Sequence, residues 1–90
     1  MFRYKRSINV PYDRQGYIYF TSRRFSDLEA WQKEKIRALC EKCGNEYAAA
    51  LFEFVTTDAG AVAVCLRHHL SQSTLERAVK KYYEAFPRRL

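Results

Sequence analysis

The stretch HLSQSTLERAVKK, residues 69–81, decides the fold of this chain. After Ser71 the apolar residues Leu75, Ala78 and Val79 recur at helical spacing, which predicts a helix capped at its N-terminus by Ser71. The preceding segment TDAGAVAVCLRHHL has a helical pattern of its own. We therefore predict two short helices joined by a turn of roughly three or four residues, which sets helices at a steep angle.

Helical patterns also dominate the N-terminal half, so the predicted fold is mainly α, a small bundle of four to five helices. A helix over about 27–42 has Ser26 and Glu29 in capping-box spacing and Gly44 as its stop. Residues 13–25 are predicted as a helix. A short strand is the alternative there, because YIYF has the aromatic and β-branched content typical of strands.

Caps and apolar faces follow from the same spacing. Asn45 is the predicted cap of a helix over about 46–56, and Thr57 or Asp58 that of the helix before the turn. The predicted core faces, in chain order, are Leu28, Trp31, Ile36, Leu39 and Cys43; Tyr47, Ala50, Leu51, Phe54 and Val55; Val62, Cys65, Leu66 and His69; and Leu75, Ala78, Val79, Tyr82 and Phe86.

Charge favours a polyanionic partner. The 90 residues suit one domain and contain 16 Lys and Arg against 10 Asp and Glu, a formal net charge of +6. Six basic residues against one acidic give +5 over 1–24, six against two give +4 over 67–90, and four against seven give −3 over 25–66. We expect one positive face if the two ends converge.

The longest small-apolar run, AGAVAVCL, is far shorter than the roughly 20 residues that span a bilayer, and the N-terminus has no secretory pattern. We therefore expect a soluble cytoplasmic protein with no membrane partner. The chain has three glycines and no phosphate-binding glycine loop, and neither a cofactor nor a small-molecule substrate is indicated.

VCLRHHLSQSTLERAV (64–79) resembles the helix-turn-helix of bacterial repressors of the lactose-repressor type and, more loosely, the DNA-binding modules of recombinases and sigma factors. Cys65 stands at the small residue of the first helix, Leu70 at the hydrophobic plug of the turn, and Ser71 at the cap. The second helix matches at Thr74, Leu75, Arg77, Ala78 and Val79. His69 departs from the pattern, because the family usually has glycine at this left-handed position.

The resemblance implies a sequence-specific DNA-binding protein, a small transcriptional regulator without catalysis, that places the helix at about 72–86 in the major groove of double-stranded DNA. Gln72, Ser73 and Arg77 would contact base edges, because glutamine can read adenine and arginine can read guanine. The expected phosphate contacts are Arg67, His68, Ser71, Thr74, Lys80 and Lys81. Helix capping is the alternative role of Ser71.

Within a single domain, the chain is accordingly divided into a basic arm (1–12), an N-terminal helical extension (13–44) and a trihelical helix-turn-helix unit (45–87). The arm is a candidate for the minor groove, where narrow A·T tracts attract basic side chains. Its candidate residues are Arg3, Lys5 and Arg6. A frayed, solvated terminus is the alternative.

The three cysteines raise two alternatives that we do not favour. Cys40, Cys43, Cys65 and His69 have spacings that could supply four zinc ligands. We expect no metal, because Cys40 and Cys43 continue the apolar face of their helix and free cysteine behaves there as a small hydrophobe. The second alternative is an enzyme, in which Cys65 would be the nucleophile and His68 or His69 the base. Neighbours on one helix rarely have the geometry for such an attack.

The main rival function is a non-catalytic protein-protein interaction module, such as an adaptor. Six Phe, seven Tyr and one Trp are many for so small a core, and the surplus could form an interface. The aromatic candidates are Tyr17, Tyr19, Phe20, Tyr82 and Tyr83. A homodimer is compatible with DNA binding as well, because twofold dimers bind two half-sites.

Overall fold

The computed structural model describes residues 2–90, which form five α-helices and no β-strand. The helices are α1 (Tyr12–Arg23), α2 (Ala30–Gly44), α3 (Ala48–Thr56), α4 (Ala61–His68) and α5 (Gln72–Ala85). Short 3-10 turns, Phe25–Asp27 and Asn45–Tyr47, precede α2 and α3. The predicted mainly α fold is confirmed, and the YIYF segment is helical.

α5 packs against α2, α3 and α4 and contributes a large part of the core. Every residue of its predicted apolar face is buried: Leu75, Ala78, Val79, Tyr82 and Phe86. Each large side chain removed from water in this way contributes about 1.5–3 kcal/mol. The buried Tyr82 hydroxyl also forms a 2.7 Å hydrogen bond with the Ser22 hydroxyl of α1. α5 is therefore held from several sides, and its outer face has a rigid backing.

α2 begins at Ala30, later than the predicted start near residue 27. Its capping box pairs Glu29 with Gln32, and the Glu29 N–H donates to the Gln32 side-chain oxygen at 2.8 Å. Ser26, the predicted cap, lies instead in the 3-10 turn that connects α1 to α2. The capping box therefore lies one helical turn later than predicted, because Leu28 has an extended backbone conformation between the 3-10 turn and α2.

Trp31 does not belong to the core face of α2, contrary to the prediction. Its side chain is 55% exposed, whereas Ile36, Cys40 and Cys43 are buried. Trp31 and Ile36 are five positions apart, which is about 140° around a helix. The two side chains therefore cannot share one narrow apolar stripe.

The end of α2 also differs from the prediction. The left-handed residue is Asn45, with φ 51°, and its N–H donates to the Glu41 carbonyl. Asn45 thus closes α2 and is not the N-terminal cap of α3. Gly44 is still helical and serves close packing, because a Cβ at this position would lie 3.4 Å from Leu51 Cβ.

α4 buries a narrower face than predicted. Val64 and Cys65 are buried, but Val62 is 57% exposed and Leu66 is 73% exposed. Val62 and Val64 are two positions apart, about 200° around a helix, so they point in nearly opposite directions. The apolar pattern of this segment therefore indicated the buried residues of α4 only in part.

Neither predicted cap of α4 serves that role, because α4 begins only at Ala61, with Gly60 as its N-cap residue. Thr57 Oγ1 accepts a hydrogen bond from the Ala59 N–H at 3.2 Å and closes the preceding loop. Asp58 forms an ion pair with Arg23 of α1. Both side chains therefore fix the α3–α4 connection to its surroundings.

The N-terminal segment is folded onto α1 by the buried side chain of Gln15. The Gln15 Oε1 accepts the Lys5 N–H at 2.9 Å, while Nε2 donates to the carbonyls of Lys5 at 3.0 Å and Val10 at 2.9 Å. Ile8 is buried in the core beside it. Residues 2–10 therefore form neither a projecting arm nor a frayed terminus.

The two basic ends converge, which is the condition under which we expected one positive face. The Arg14 guanidinium donates to the carbonyls of Phe86 at 3.2 Å, Pro87 and Arg88 at 3.0 Å. The Asn9 N–H donates to the Glu84 side chain at 3.2 Å. Residues separated by more than seventy positions thus share one side of the molecule.

Candidate nucleic-acid interface

Three residues, His69, Leu70 and Ser71, join α4 to α5. His69 has the left-handed conformation, φ 58° and ψ 52°, and its N–H and that of Leu70 both donate to the Cys65 carbonyl. The Leu70 side chain packs against the core. His69 is exposed, so it is not part of the apolar face to which it was assigned. The left-handed position is nevertheless the one predicted from the sequence, and a non-glycine residue there costs roughly 1 kcal/mol or more.

Ser71 is the N-terminal cap of α5, as predicted. Its Oγ accepts the Thr74 N–H at 3.2 Å, which satisfies one of the free N–H groups at the helix start. The same Oγ lies 2.8 Å from Thr74 Oγ1 and 3.2 Å from Ser73 Oγ. The three hydroxyl groups therefore form one exposed polar cluster at the N-terminus of α5.

The outer face of α5 carries the residues predicted to contact DNA. These exposed residues are Gln72, Ser73, Arg77, Lys80 and Lys81. Ser73, Arg77 and Lys80 follow one line along the helix because they are separated by four and three positions. Within residues 2–90, none of the three basic residues forms an ion pair. Glu76 is also exposed on α5 and reduces the positive charge of this face.

Two of the predicted phosphate contacts already have a protein partner. Arg67 donates to both carboxylate oxygens of Glu53, and His68 Nε2 lies 2.7 Å from Glu53 Oε1. These hydrogen bonds hold the pKa of the Glu53 carboxyl below its ordinary value, and the bond from Arg67 has the largest effect. Glu53 therefore withdraws positive charge from the C-terminal turn of α4.

Basic residues of the N-terminal segment lie beside α5. A cleft between the segment and α5 is lined by Lys5, Ile8, Glu76 and Val79. Further along, the hydrogen bond from Asn9 reaches the last turn of α5. Arg3 and Arg6 are exposed, whereas Lys5 is half-buried with its ammonium 5.9 Å from the Phe54 ring centre. Lys5 therefore lies beside α5, and Arg3 lines a second cleft with Tyr83 of the same helix.

On the other side of α5, Lys42 of α2 lines a small cleft with Lys81 and Cys43. Sequence reasoning missed Lys42 as a neighbour of the candidate interface, because it lies on another helix and forms no recognisable motif with α5. It also missed Gln15, for which a signal existed: Gln15 lies on the face of α1 that carries Ile18 and Ser22, at helical spacing.

The cysteines do not assemble into a metal site with His69. Burial raises the pKa of the Cys40 thiol to about 12 and raises that of Cys43 as well. Cys65 is buried, whereas His69 lies exposed in the turn. In the part of the chain that the structure describes, no three His, Cys, Asp or Glu residues are grouped so that they could hold a metal ion.

Comparisons with models of protein families, with curated protein sequences and with solved structures found no match to this chain. Over residues 2–90, none of the helices combines the length and the apolar character needed to cross a membrane. The functional interpretation therefore depends on the geometry and chemistry described above.

Proposed function

We propose that this chain is a sequence-specific binder of double-stranded DNA, a small transcriptional regulator without catalysis, that reads the major groove with α5. The observation that carries the proposal is the connection from α4 to α5. A three-residue turn with a left-handed His69 and a capping Ser71 is typical of the helix-turn-helix arrangement. It leaves the first turns of α5 exposed beside α4.

The chemistry of those first turns suits base recognition. Gln72 and Ser73 lie in the first turn of α5, and Gln72 offers a donor and an acceptor together, as adenine requires in the major groove. Arg77 follows one turn later, with an exposed guanidinium that has the fork geometry for the two acceptors of guanine. Neither Gln72 nor Arg77 is needed for the core.

Phosphate contacts are assigned to residues with no carboxylate partner in the described structure. Lys80 and Lys81 lie further along α5 and would meet the DNA backbone, with Arg3 and Arg6 of the adjoining N-terminal segment. Arg67 and His68 would first have to leave Glu53, so we assign them a smaller contribution.

The test is selection of a preferred sequence from a pool of random duplexes, followed by anisotropy titrations at several salt concentrations. Arg77→Ala should cost about 1–3 kcal/mol on the preferred site and relax preference at one base pair. Arg77→Lys should also lose the preference, because it keeps the charge and lacks the fork. Lys81→Ala should weaken all sequences alike and make the salt dependence shallower.

Lys35→Ala is the matched control, because it removes the same charge from an exposed position on α2. It should leave both affinity and preference within experimental error. If Arg77→Ala and Lys35→Ala have the same small effect, or if no sequence is enriched, α5 does not read DNA.

A protein-protein interaction module is the second candidate, and one observation favours it. Val62 and Leu66, four positions apart on α4, form an exposed apolar pair beside the turn. An apolar pair gains nothing from a phosphate backbone, but it suits the centre of a protein interface. Replacement of both by serine should leave duplex binding intact if α5 alone binds DNA, and should abolish dimerisation if α4 forms a homodimer contact.

A further inference from the structure

Five aromatic rings lie side by side on α1 and the N-terminal segment and form what we call the aromatic row: Phe2, Tyr4, Tyr12, Tyr19 and Phe20. Ring centres are 6.0 Å apart for Tyr4 and Tyr12, and 5.6 Å apart for Phe2 and Tyr12. Phe2 continues the contacts to Tyr19 at 5.4 Å and to Phe20 at 6.1 Å. The row is therefore continuous, although its members come from two segments of the chain.

The row is partly solvent-facing because of the way α1 is built. Tyr12 and Phe20 lie eight positions apart on the outer side of α1 and are 66% and 56% exposed. Gly16 lies between them in the chain, and a Cβ there would be 3.7 Å from the Phe2 ring, so Phe2 packs against α1 at this position. The opposite face of α1, which includes Ile18, is buried without Tyr12 or Phe20. Tyr19 is half-buried, and its hydroxyl is enclosed without a hydrogen-bond partner among the described residues.

Basic residues flank members of the aromatic row in the chain: Arg3 lies between Phe2 and Tyr4, Arg6 is two positions after Tyr4, and Arg24 is four positions after Phe20. Arg3, Arg6 and Arg24 are exposed, and within the described residues none of them forms an ion pair. Arg23 places its guanidinium 4.5 Å from the Tyr19 ring centre while it pairs with Asp58. Over residues 1–24 the formal charge is +5. Exposed aromatic rings flanked by this much positive charge favour a partner that carries negative charge.

We propose that the aromatic row is a binding surface for single-stranded nucleic acid. Unpaired bases would stack on Tyr12, Phe20 and the adjoining rings, while the backbone phosphates would meet Arg3, Arg6 and Arg24. This partner satisfies the aromatic and the basic groups together. A second copy of the chain on the same face would place two strongly positive segments against each other. The proposal does not depend on duplex binding by α5.

Anisotropy titrations with labelled oligothymidylate and oligouridylate of about 15 nucleotides test the proposal, because these homopolymers form no duplex with themselves. Wild type should bind at low salt and weaken as salt is raised. Tyr12→Ala and Phe20→Ala should each lower the affinity by about five- to 150-fold, the range expected for loss of one base–aromatic stack. A third titration with oligodeoxyuridylate, which differs from oligouridylate only in the 2′-hydroxyl, identifies the sugar that the surface prefers.

Two controls separate stacking from general effects. Tyr12→Phe should keep nearly full affinity, whereas Tyr12→Leu, which is apolar without a π face, should behave like the alanine variant. Trp31→Ala removes an exposed aromatic side chain from α2 and should have no effect. Because Tyr12 and Phe20 are mostly exposed, the alanine variants should unfold at the wild-type denaturant midpoint.

The proposal is overturned if neither homopolymer binds, or if Tyr12→Leu binds as well as wild type. Sedimentation that shows a dimer dissociated by Phe20→Ala, without oligonucleotide binding, would assign the surface to self-association. Arg77→Ala should leave homopolymer binding unchanged. If Arg77→Ala loses only duplex binding, the result supports the assignment of α5 to duplex DNA. If Tyr12→Ala loses only homopolymer binding, the result supports the assignment of the aromatic row to single strands.

Discussion

Replacement of Gln15 by alanine should release the N-terminal segment from the rest of the domain. Gln15 is fully buried, and its amide makes three short hydrogen bonds to the backbone of Lys5 and Val10. Among the described residues, the only other side chain that bonds the backbone of this stretch is Glu84, which accepts the Asn9 N–H. The segment should therefore lose its main polar attachment while the helices remain folded.

The magnitude follows from these contacts. Each of the three hydrogen bonds, at 2.9, 3.0 and 2.9 Å, contributes about 0.5–1.5 kcal/mol net, so their loss should cost about 2–4 kcal/mol. Release of the segment limits the cost, because the freed backbone groups then bind water. A domain of 90 residues has a total stability of about 5–13 kcal/mol, so the melting temperature should fall by roughly 10–25 °C.

Urea denaturation followed by circular dichroism gives the loss of stability, and hydrogen exchange at the Lys5 amide reports the release directly. Gln15→Glu should be at least as harmful at neutral pH, because a carboxylate cannot donate to the two carbonyls that Nε2 serves. Gln72→Ala, at an exposed position, is the matched control and should change stability by less than about 0.5 kcal/mol. A Gln15→Ala protein with unchanged stability and an equally protected Lys5 amide would refute the assignment of Gln15 as the anchor.

Three further predictions concern the turn, the core and pH. His69→Gly should stabilise the protein by up to about 1 kcal/mol in urea denaturation, because glycine adopts the left-handed conformation without the cost that histidine has; a loss of stability would contradict this geometry. Tyr82→Phe should cost about 1–3 kcal/mol by leaving the buried Ser22 hydroxyl without its partner, and Ser22→Ala in the same background should recover part of it; strict additivity would show that the two do not interact. The lowered pKa of Glu53 means that its ionised form contributes stability above the ordinary glutamate pKa of about 4.3, and that this contribution is lost as pH falls through the lower folded-state value. Glu53→Gln should remove that part of the pH dependence below the ordinary glutamate pKa, and an unchanged profile would exclude the pairing with Arg67 in solution.

Local patterns predicted the elements whose signals lie within one turn of helix. The apolar face of α5, the cap at Ser71 and the left-handed residue at 69 depend on residues at most a few positions apart. The same is true of the mainly α fold. These features could be predicted because local propensity and tertiary packing favour the same structure.

The errors arose where a local pattern had two physical meanings. Asn45 can cap the start of a helix or adopt the left-handed conformation at the end of one, and the chain uses it for the second purpose. Val62 and Leu66 look like core residues by composition, but in a helix as short as α4 only Val64 and Cys65 reach the interior. Composition could not separate a buried from an exposed apolar position there.

Contacts between distant segments were beyond the reach of local patterns. Glu53 meets Arg67 and His68 only because α3 and α4 pack together, and Asn9 meets Glu84 across 75 positions. Charge counting predicted one positive face if the two ends converged, but it predicted neither the convergence nor the groups that join the ends. From the sequence, Gln15 could be identified only as a polar residue on an apolar face of α1. The backbone groups that it binds could not be predicted.

The acidic residues of the molecule decide which basic groups remain available to a polyanion. Asp58 occupies Arg23, and Glu53 occupies Arg67 and His68. The Asp58 pair joins the α3–α4 connection to α1, and the Glu53 pairs join α3 to the C-terminal turn of α4, so the neutralised charges also hold elements together. Across residues 2–90 the basic groups left without a carboxylate include Arg3, Arg6 and Arg24 near the aromatic row, and Arg77, Lys80 and Lys81 on α5.

Gln15 links these two groups of basic residues physically. By holding the backbone of Lys5, it keeps Phe2 and Tyr4 on the aromatic row and Lys5 beside α5 at the same time. A single change at Gln15 should therefore weaken homopolymer binding through the loss of ordered rings and weaken duplex binding through the loss of ordered charge. Base preference should survive, because Gln72 and Arg77 lie on α5. The buried Tyr82 side chain holds α5 in place through its hydrogen bond with Ser22, which does not involve the N-terminal segment. Loss of base preference in Gln15→Ala would mean that the N-terminal segment itself contacts the bases.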